Sequence, residues 1–265
     1  MKRYPLVFFF IFAYVLAWVP MAYYLVSGKD TFAGVSFFAP ALSAFVISAA
    51  TEGRAGVTSL ISRLFIWRVN LKWYLIALFA PILLEVLAIL THRLLGNAAA
   101  SIQFTDWIRR IPEQLPGLVL ILFFLVLSSL GEEMGWRGYA MPGLQTRYGP
   151  VWSSLILGLL WGLWHLPTFW IPGTPQFGLP VPGYVLASTG YTFIYTCIHN
   201  GTKGSVLLAA LYHGASNLTL TYGNAISPDV ISDLYLTLPA LAILVIVVCL
   251  ISGSDGFIGR QSLPD

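Results

Sequence analysis

The chain alternates between long apolar runs and short polar breaks. A run of roughly twenty apolar residues is long enough for a helix to cross the hydrocarbon core of a bilayer. Eight candidates follow, at about Pro5–Val26, Val35–Thr51, Leu71–Leu95, Leu115–Met141, Pro150–Trp170, Val181–His199, Ser205–Tyr222 and Ser232–Ser252, the second entered through Pro40. Strands of a membrane barrel would alternate inward and outward residues over about ten positions, and no such period is present. In lipid the backbone groups must be paired within the segment, which leaves helices. The pattern predicts an all-α fold, a polytopic membrane bundle of about eight transmembrane helices. No repeat or low-complexity linker divides it, so residues 1–265 read as a single transmembrane domain.

Composition agrees with the pattern. Hydrophobic residues make up 57% of the chain and charged residues 9%, against about 25% charged in soluble domains. The net charge of +3 is spread over loops without a basic stripe, which argues against a nucleic-acid partner. Cys197 and Cys249 both fall in apolar runs and read as buried thiols rather than a disulfide framework. Lys2 and Arg3 look like the start of a signal peptide, but the run from Leu6 to Val26 exceeds the roughly 7–15 residues of a signal core, so it is kept as the first span. With the N-terminus inside, ten Lys and Arg fall on inner segments and four on outer ones, which predicts both termini in the cytoplasm. Arg54–Trp67 interleaves basic and apolar residues as a helix on the inner membrane surface would. Asp106–Leu115 suggests the same outside.

Ionisable residues inside spans are costly in lipid and usually face the bundle interior. Three groups stand out: Glu132, Glu133 and Arg137 on the fourth span, Trp161 and His165 on the fifth, and His213 and Asn217 on the seventh. Residues four apart share a helix face, so Glu133 pairs with Arg137, and His213 projects beside Asn217. Glu132 has no local cation and is free to point inward. A carboxylate, two imidazoles and an amide in one apolar pocket are the parts needed to activate water and stabilise an oxyanion. There is no serine nucleophile elbow and no H-E-x-x-H motif. Depth tests the grouping. Met141 to Glu132 is nine residues, about 14 Å of helix, and Ser205 to His213 is eight, about 12 Å. Pro150 to His165 is fifteen, about 22 Å, which places His165 deeper than its partners. Glu85, in the middle of the third span, is unexplained, with two places open to it: the cavity wall or a pair with a basic group.

These residues carry a resemblance. Glu132-Glu133-Met134-Gly135-Trp136-Arg137 resembles the E-E-x-x-x-R motif, Trp161-Gly162-Leu163-Trp164-His165 the F-x-x-x-H motif, and His213-Gly214-Ala215-Ser216-Asn217 the H-x-x-x-N motif of the type II CAAX-protease and bacteriocin-processing (CPBP, or Abi) family. The resemblance covers about residues 39–218, which would be the protease-like core. It implies an eight-helix intramembrane endopeptidase of metallo- or glutamate type in a bacterial or archaeal cell membrane. The substrate would be a membrane-associated or lipidated peptide, of the prenylated CAAX kind or related to bacteriocins. Carried over by position, Glu132 would be the general base aided by His165, and His213 and Asn217 would hold the water or the oxyanion. Glu133 and Arg137 would shape the site. Trp161 stands where the pattern has Phe, and a packing role is expected to survive. If a metal is bound, Glu132, His165 and His213 would be a sufficient set for zinc. Two other classes compete: a non-catalytic membrane immunity or binding protein of the same fold, and, ranked lower, a proton-coupled transporter using the same residues as a relay.

Overall fold

The structure, a computed structural model, describes residues 2–29, 33–95, 104–226 and 234–253, without the side chains of 33, 104–114, 223–226 and 236. Helices α1 (Pro5–Ser27), α2 (Ala39–Ser62), α3 (Leu71–Leu94), α4 (Phe104–Gly135), α5 (Met141–Trp164), α6 (Val181–Gly201) and α7 (Val206–Ile226) precede a C-terminal helix, Leu234–Ser252. Among the described residues there is no strand. The all-helical expectation holds, but the count of eight transmembrane helices does not. Four stretches of the described residues are long and apolar enough to cross a membrane: Pro5–Ser27, Gly34–Phe65, Leu71–Leu94 and Leu115–Trp170. The fourth and fifth candidates fall within the one stretch Leu115–Trp170, the C-terminal helix has only the shorter apolar run Thr237–Ser252, and α6 and α7 spend positions on hydroxyls rather than on apolar side chains. Thr189, Thr192 and Thr196 of α6 each donate to the carbonyl four residues earlier, at 2.8, 2.8 and 2.9 Å. Self-satisfied hydroxyls of this kind can face a bundle interior without an outside partner.

Local sequence explains most boundaries. Pro5 opens α1, and Gly28 ends it with a left-handed φ of 67°. The Asn70 side chain caps α3 by accepting from Lys72 N–H at 2.9 Å. Gly53, at φ 66°, breaks α2 between its apolar part and the basic stretch that follows. The predicted division of Val35–Thr51 from Arg54–Trp67 is therefore present as a kink inside one element. The Asp106–Leu115 stretch is not separate, since the backbone of α4 runs through it without interruption.

The chain beyond α4 corrects the depth count. A π-turn at Trp136–Ala140 leads into α5, which is itself broken at Gly149 (φ 73°) just before Pro150. The path from Glu132 to Pro150 thus bends twice, and Met141 is not a marker of the membrane surface. Glu132 is counted from Met141 and His165 from Pro150, two points on opposite sides of the break at Gly149.

Small residues let the helices close in. A Cβ on Gly158 would lie 2.6 Å from Thr189 Cα, and one on Gly214 would lie 2.9 Å from Val126 N. These contacts bring α5 against α6 and α7 against α4, the close-approach device of membrane helix packing. The two cysteines, unconnected in the sequence reading, face each other across α6 and the C-terminal helix as free thiols with Sγ atoms 3.4 Å apart.

Candidate active site

Between the helices lies a cavity of about 730 Å³, within the range of small-molecule and peptide pockets. Glu132, His165, His213 and Asn217, from three different helical stretches, all line it, together with Trp161. Glu133 and Arg137 are fully buried, pack behind it and do not line it. Spacing on the fourth span thus separated the two adjacent glutamates correctly, one toward the cavity and one toward the arginine.

The layer behind the cavity is tightly connected. Arg137 Nη1 donates to Glu133 Oε1 at 2.9 Å, and its guanidinium lies over the rings of Tyr195 (3.5 Å) and Trp161 (4.4 Å). Stacking on two aromatic faces suits a weakly hydrated, planar cation out of water. The same Glu133 oxygen accepts from His213 Nδ1 at 2.8 Å. A carboxylate can only accept, so the proton is assigned to Nδ1. That leaves Nε2 as the His213 nitrogen available to the cavity. Sequence spacing found the Glu133–Arg137 pair but missed the histidine, because that contact joins two helices 80 positions apart.

His165 is held in a parallel way. It is the C-cap of α5, and its Nδ1 lies 2.9 Å from the Trp161 carbonyl. The carbonyl makes Nδ1 the donor and again leaves Nε2 for the cavity. The ring packs edge-on against Trp164 and Tyr184, with centroids 4.8 and 5.4 Å away. Helix α1 fixes the end of α5 from outside. Tyr14 OH donates to Leu160 O at 2.6 Å, Trp18 Nε1 to Trp164 O at 2.9 Å, and Trp164 Nε1 to Ala13 O at 3.1 Å. Carbonyls in the last turn of a helix lack intrahelical donors, and Trp18 of α1 supplies one to Trp164 O.

Trp161 does more than the packing expected of it. Its Nε1 donates to Glu132 Oε2 at 2.8 Å, a bond that the phenylalanine of the resembled pattern has no N–H to make. Asn217 is half-buried on the cavity wall. Glu85 of α3 lines the same cavity, one of the two placements open to it from the sequence. The zinc set admitted by the sequence was also tested. Among the described residues no three His, Cys, Asp or Glu side chains are gathered to hold a metal ion, and one Glu132 oxygen is already engaged by the indole.

Comparison with known proteins places this geometry. Residues 114–219, which include every motif residue, match the family described as type II CAAX prenyl endopeptidase Rce1-like. A CAAX prenyl protease 2 from Methanococcus maripaludis is 28% identical over 226 residues, covering 79% of this chain and 80% of that protein. Lysostaphin resistance protein A from Staphylococcus haemolyticus is 25% identical over 146 residues, covering 54% of this chain and 36% of its own length. The matched stretch carries all three motifs, and over it this chain is similar to the Rce1-like type II CAAX prenyl endopeptidases, the family those motifs resemble.

Proposed function

We propose that the protein is an integral membrane endopeptidase that hydrolyses a peptide bond in a membrane-associated substrate by carboxylate-activated water. The observation that carries this reading is the convergence of Glu132, His165, His213 and Asn217 on one cavity inside an apolar bundle. Water bound at the free oxygen of Glu132 gives a proton to it as the water oxygen attacks the peptide carbonyl carbon. His165, presenting Nε2, helps hold that water. Asn217 donates to the oxyanion as the carbonyl bond opens, and His213, whose unprotonated Nε2 can only accept, shares the holding of the water with His165. The tetrahedral species then collapses, the C–N bond breaks, and Glu132 passes its proton to the departing amine. Trp161 fixes the other Glu132 oxygen throughout.

The wide cavity, with many apolar side chains on its wall, suits a lipidated or membrane-embedded peptide. The relative of that name and the family match favour a prenylated CAAX substrate. The bundle would be multi-pass with both termini on the cytoplasmic side, as the distribution of basic residues favours. A second reading, a non-catalytic immunity or binding protein, has one observation in its favour, the likeness to a protein named for lysostaphin resistance.

The test uses purified wild type and Glu132→Gln in nanodiscs, with quenched fluorescent peptides in lipidated and plain forms, with and without chelator. The expected result is cleavage by wild type, survival of cleavage in chelator, and no cleavage by a folded Glu132→Gln. Full activity of Glu132→Gln would sink the mechanism. Loss on chelation with recovery on zinc would overturn its metal-free form. Resistance conferred equally by wild type and Glu132→Gln would favour the second reading.

A further inference from the structure

Glu85 plays no part in the reaction just described, yet it lines the same cavity as Glu132, from the facing helix α3. Its Oε1 is buried and meets no hydrogen-bond donor among the described residues. An ionisable group within a membrane-spanning segment usually has a partner there or meets one in its ligand. No Lys or Arg lines the cavity among the described residues, and Arg137, the nearest candidate by position in the site, is committed to Glu133 and two aromatic rings. The cavity therefore offers two carboxylates and no counter-charge. Low-dielectric walls strengthen the field of such groups and favour an occupant of opposite sign.

We propose that Glu85 is a specificity residue that receives a basic side chain of the bound peptide, a lysine ammonium or an arginine guanidinium, at a position away from the bond to be cut. The proposal rests on the peptidase reading for what the occupant is, and on the cavity alone for its charge. Oxygen Oε1 supplies the acceptor. An acidic side chain in the same place would face a carboxylate with nothing to neutralise either.

The experiment uses full-length protein in nanodiscs and a set of fluorescent decapeptides of one apolar sequence, each carrying Lys, norleucine or Glu at one position in turn. Binding is measured in the Glu132→Gln background, so that it needs no turnover, and cleavage is measured in the wild type. At one position or more the Lys peptide should bind at least about tenfold more tightly than its norleucine counterpart, and the Glu peptide more weakly than both. Adding Glu85→Gln should bring the Lys-to-norleucine ratio close to one while the norleucine peptides bind as before. An unchanged ratio in the Glu85→Gln protein would overturn the proposal, as would the absence of any position at which Lys is preferred. If Glu85→Gln does not fold, the peptide series on the protein retaining Glu85 decides by the second criterion. Charge-selective binding with no cleavage by wild type would retain Glu85 as the receptor and remove the peptidase reading instead.

Discussion

Glu133 serves two partners with one oxygen, and replacing it by Gln separates what each receives. Arg137 and Glu133 are both 0% exposed, so the variant leaves a buried guanidinium without its counter-charge. Removing one member of a buried pair costs about 3–5 kcal/mol. The rings of Tyr195 and Trp161 continue to hold the cation, and a desolvated cation–π contact contributes about 2 kcal/mol, so the lower end of that range, about 3 kcal/mol, is expected. The assay is the unfolding midpoint in a denaturant titration of purified protein in detergent, run beside peptide cleavage. The double variant Glu133→Gln with Arg137→Met is the informative control. With both charges gone the stability should return to within about 1 kcal/mol of wild type, since whole buried pairs are often replaced at little cost. Cleavage should not return. His213 has lost a hydrogen bond to a charged acceptor, a contribution of about 1.5–3 kcal/mol, which corresponds to a roughly tenfold to hundredfold slower reaction. A single variant as stable as wild type would refute the structural half of the argument. A double variant that cleaves at the wild-type rate would refute the claim that Glu133 positions His213.

Two further variants test neighbouring claims. Trp161→Phe keeps a ring over Arg137 and removes the donor to Glu132, so kcat should fall about tenfold, the effect of one lost bond to a charged acceptor, with little change in KM; an unchanged kcat would mean that the indole N–H orders Glu132 without serving the reaction. Gly158→Leu puts side-chain atoms where Thr189 already sits and should lower stability by about 1–3 kcal/mol or more through overpacking, read as an earlier unfolding midpoint; wild-type stability would show that α5 and α6 are free to separate.

Sequence and structure agree best where the physics is local. Apolar run length placed the spans α1, α3, α6 and the C-terminal helix within a few residues of their ends, because in lipid the helix must satisfy its own backbone. Spacing of four paired Glu133 with Arg137, because neighbours on a helix face are fixed by the helix itself. What escaped detection is tertiary. No periodicity within α7 says that His213 meets Glu133, or within α3 that Glu85 reaches the cavity of α4, α5 and α7. Counting helices as straight rods set His165 apart from its partners, whereas the path is interrupted at Gly149 and at the π-turn of Trp136–Ala140, and His165 lines the same cavity. One signal was available: a tryptophan where the resembled pattern has phenylalanine adds an N–H, and an added buried donor needs an acceptor.

The two aromatic donors that α1 lends to the end of α5 bear on how small this protein can be made. The segment by which the chain is recognised, residues 114–219, contains all three motifs but begins far downstream of Tyr14 and Trp18. Cut out by itself, that segment would leave the Leu160 and Trp164 carbonyls facing lipid and the Trp164 indole without Ala13 O to receive it. The turn that presents His165 would then be free to unwind. The recognisable part of the chain is thus not its autonomous part, and a minimal version of the protein has to begin upstream of Ala13.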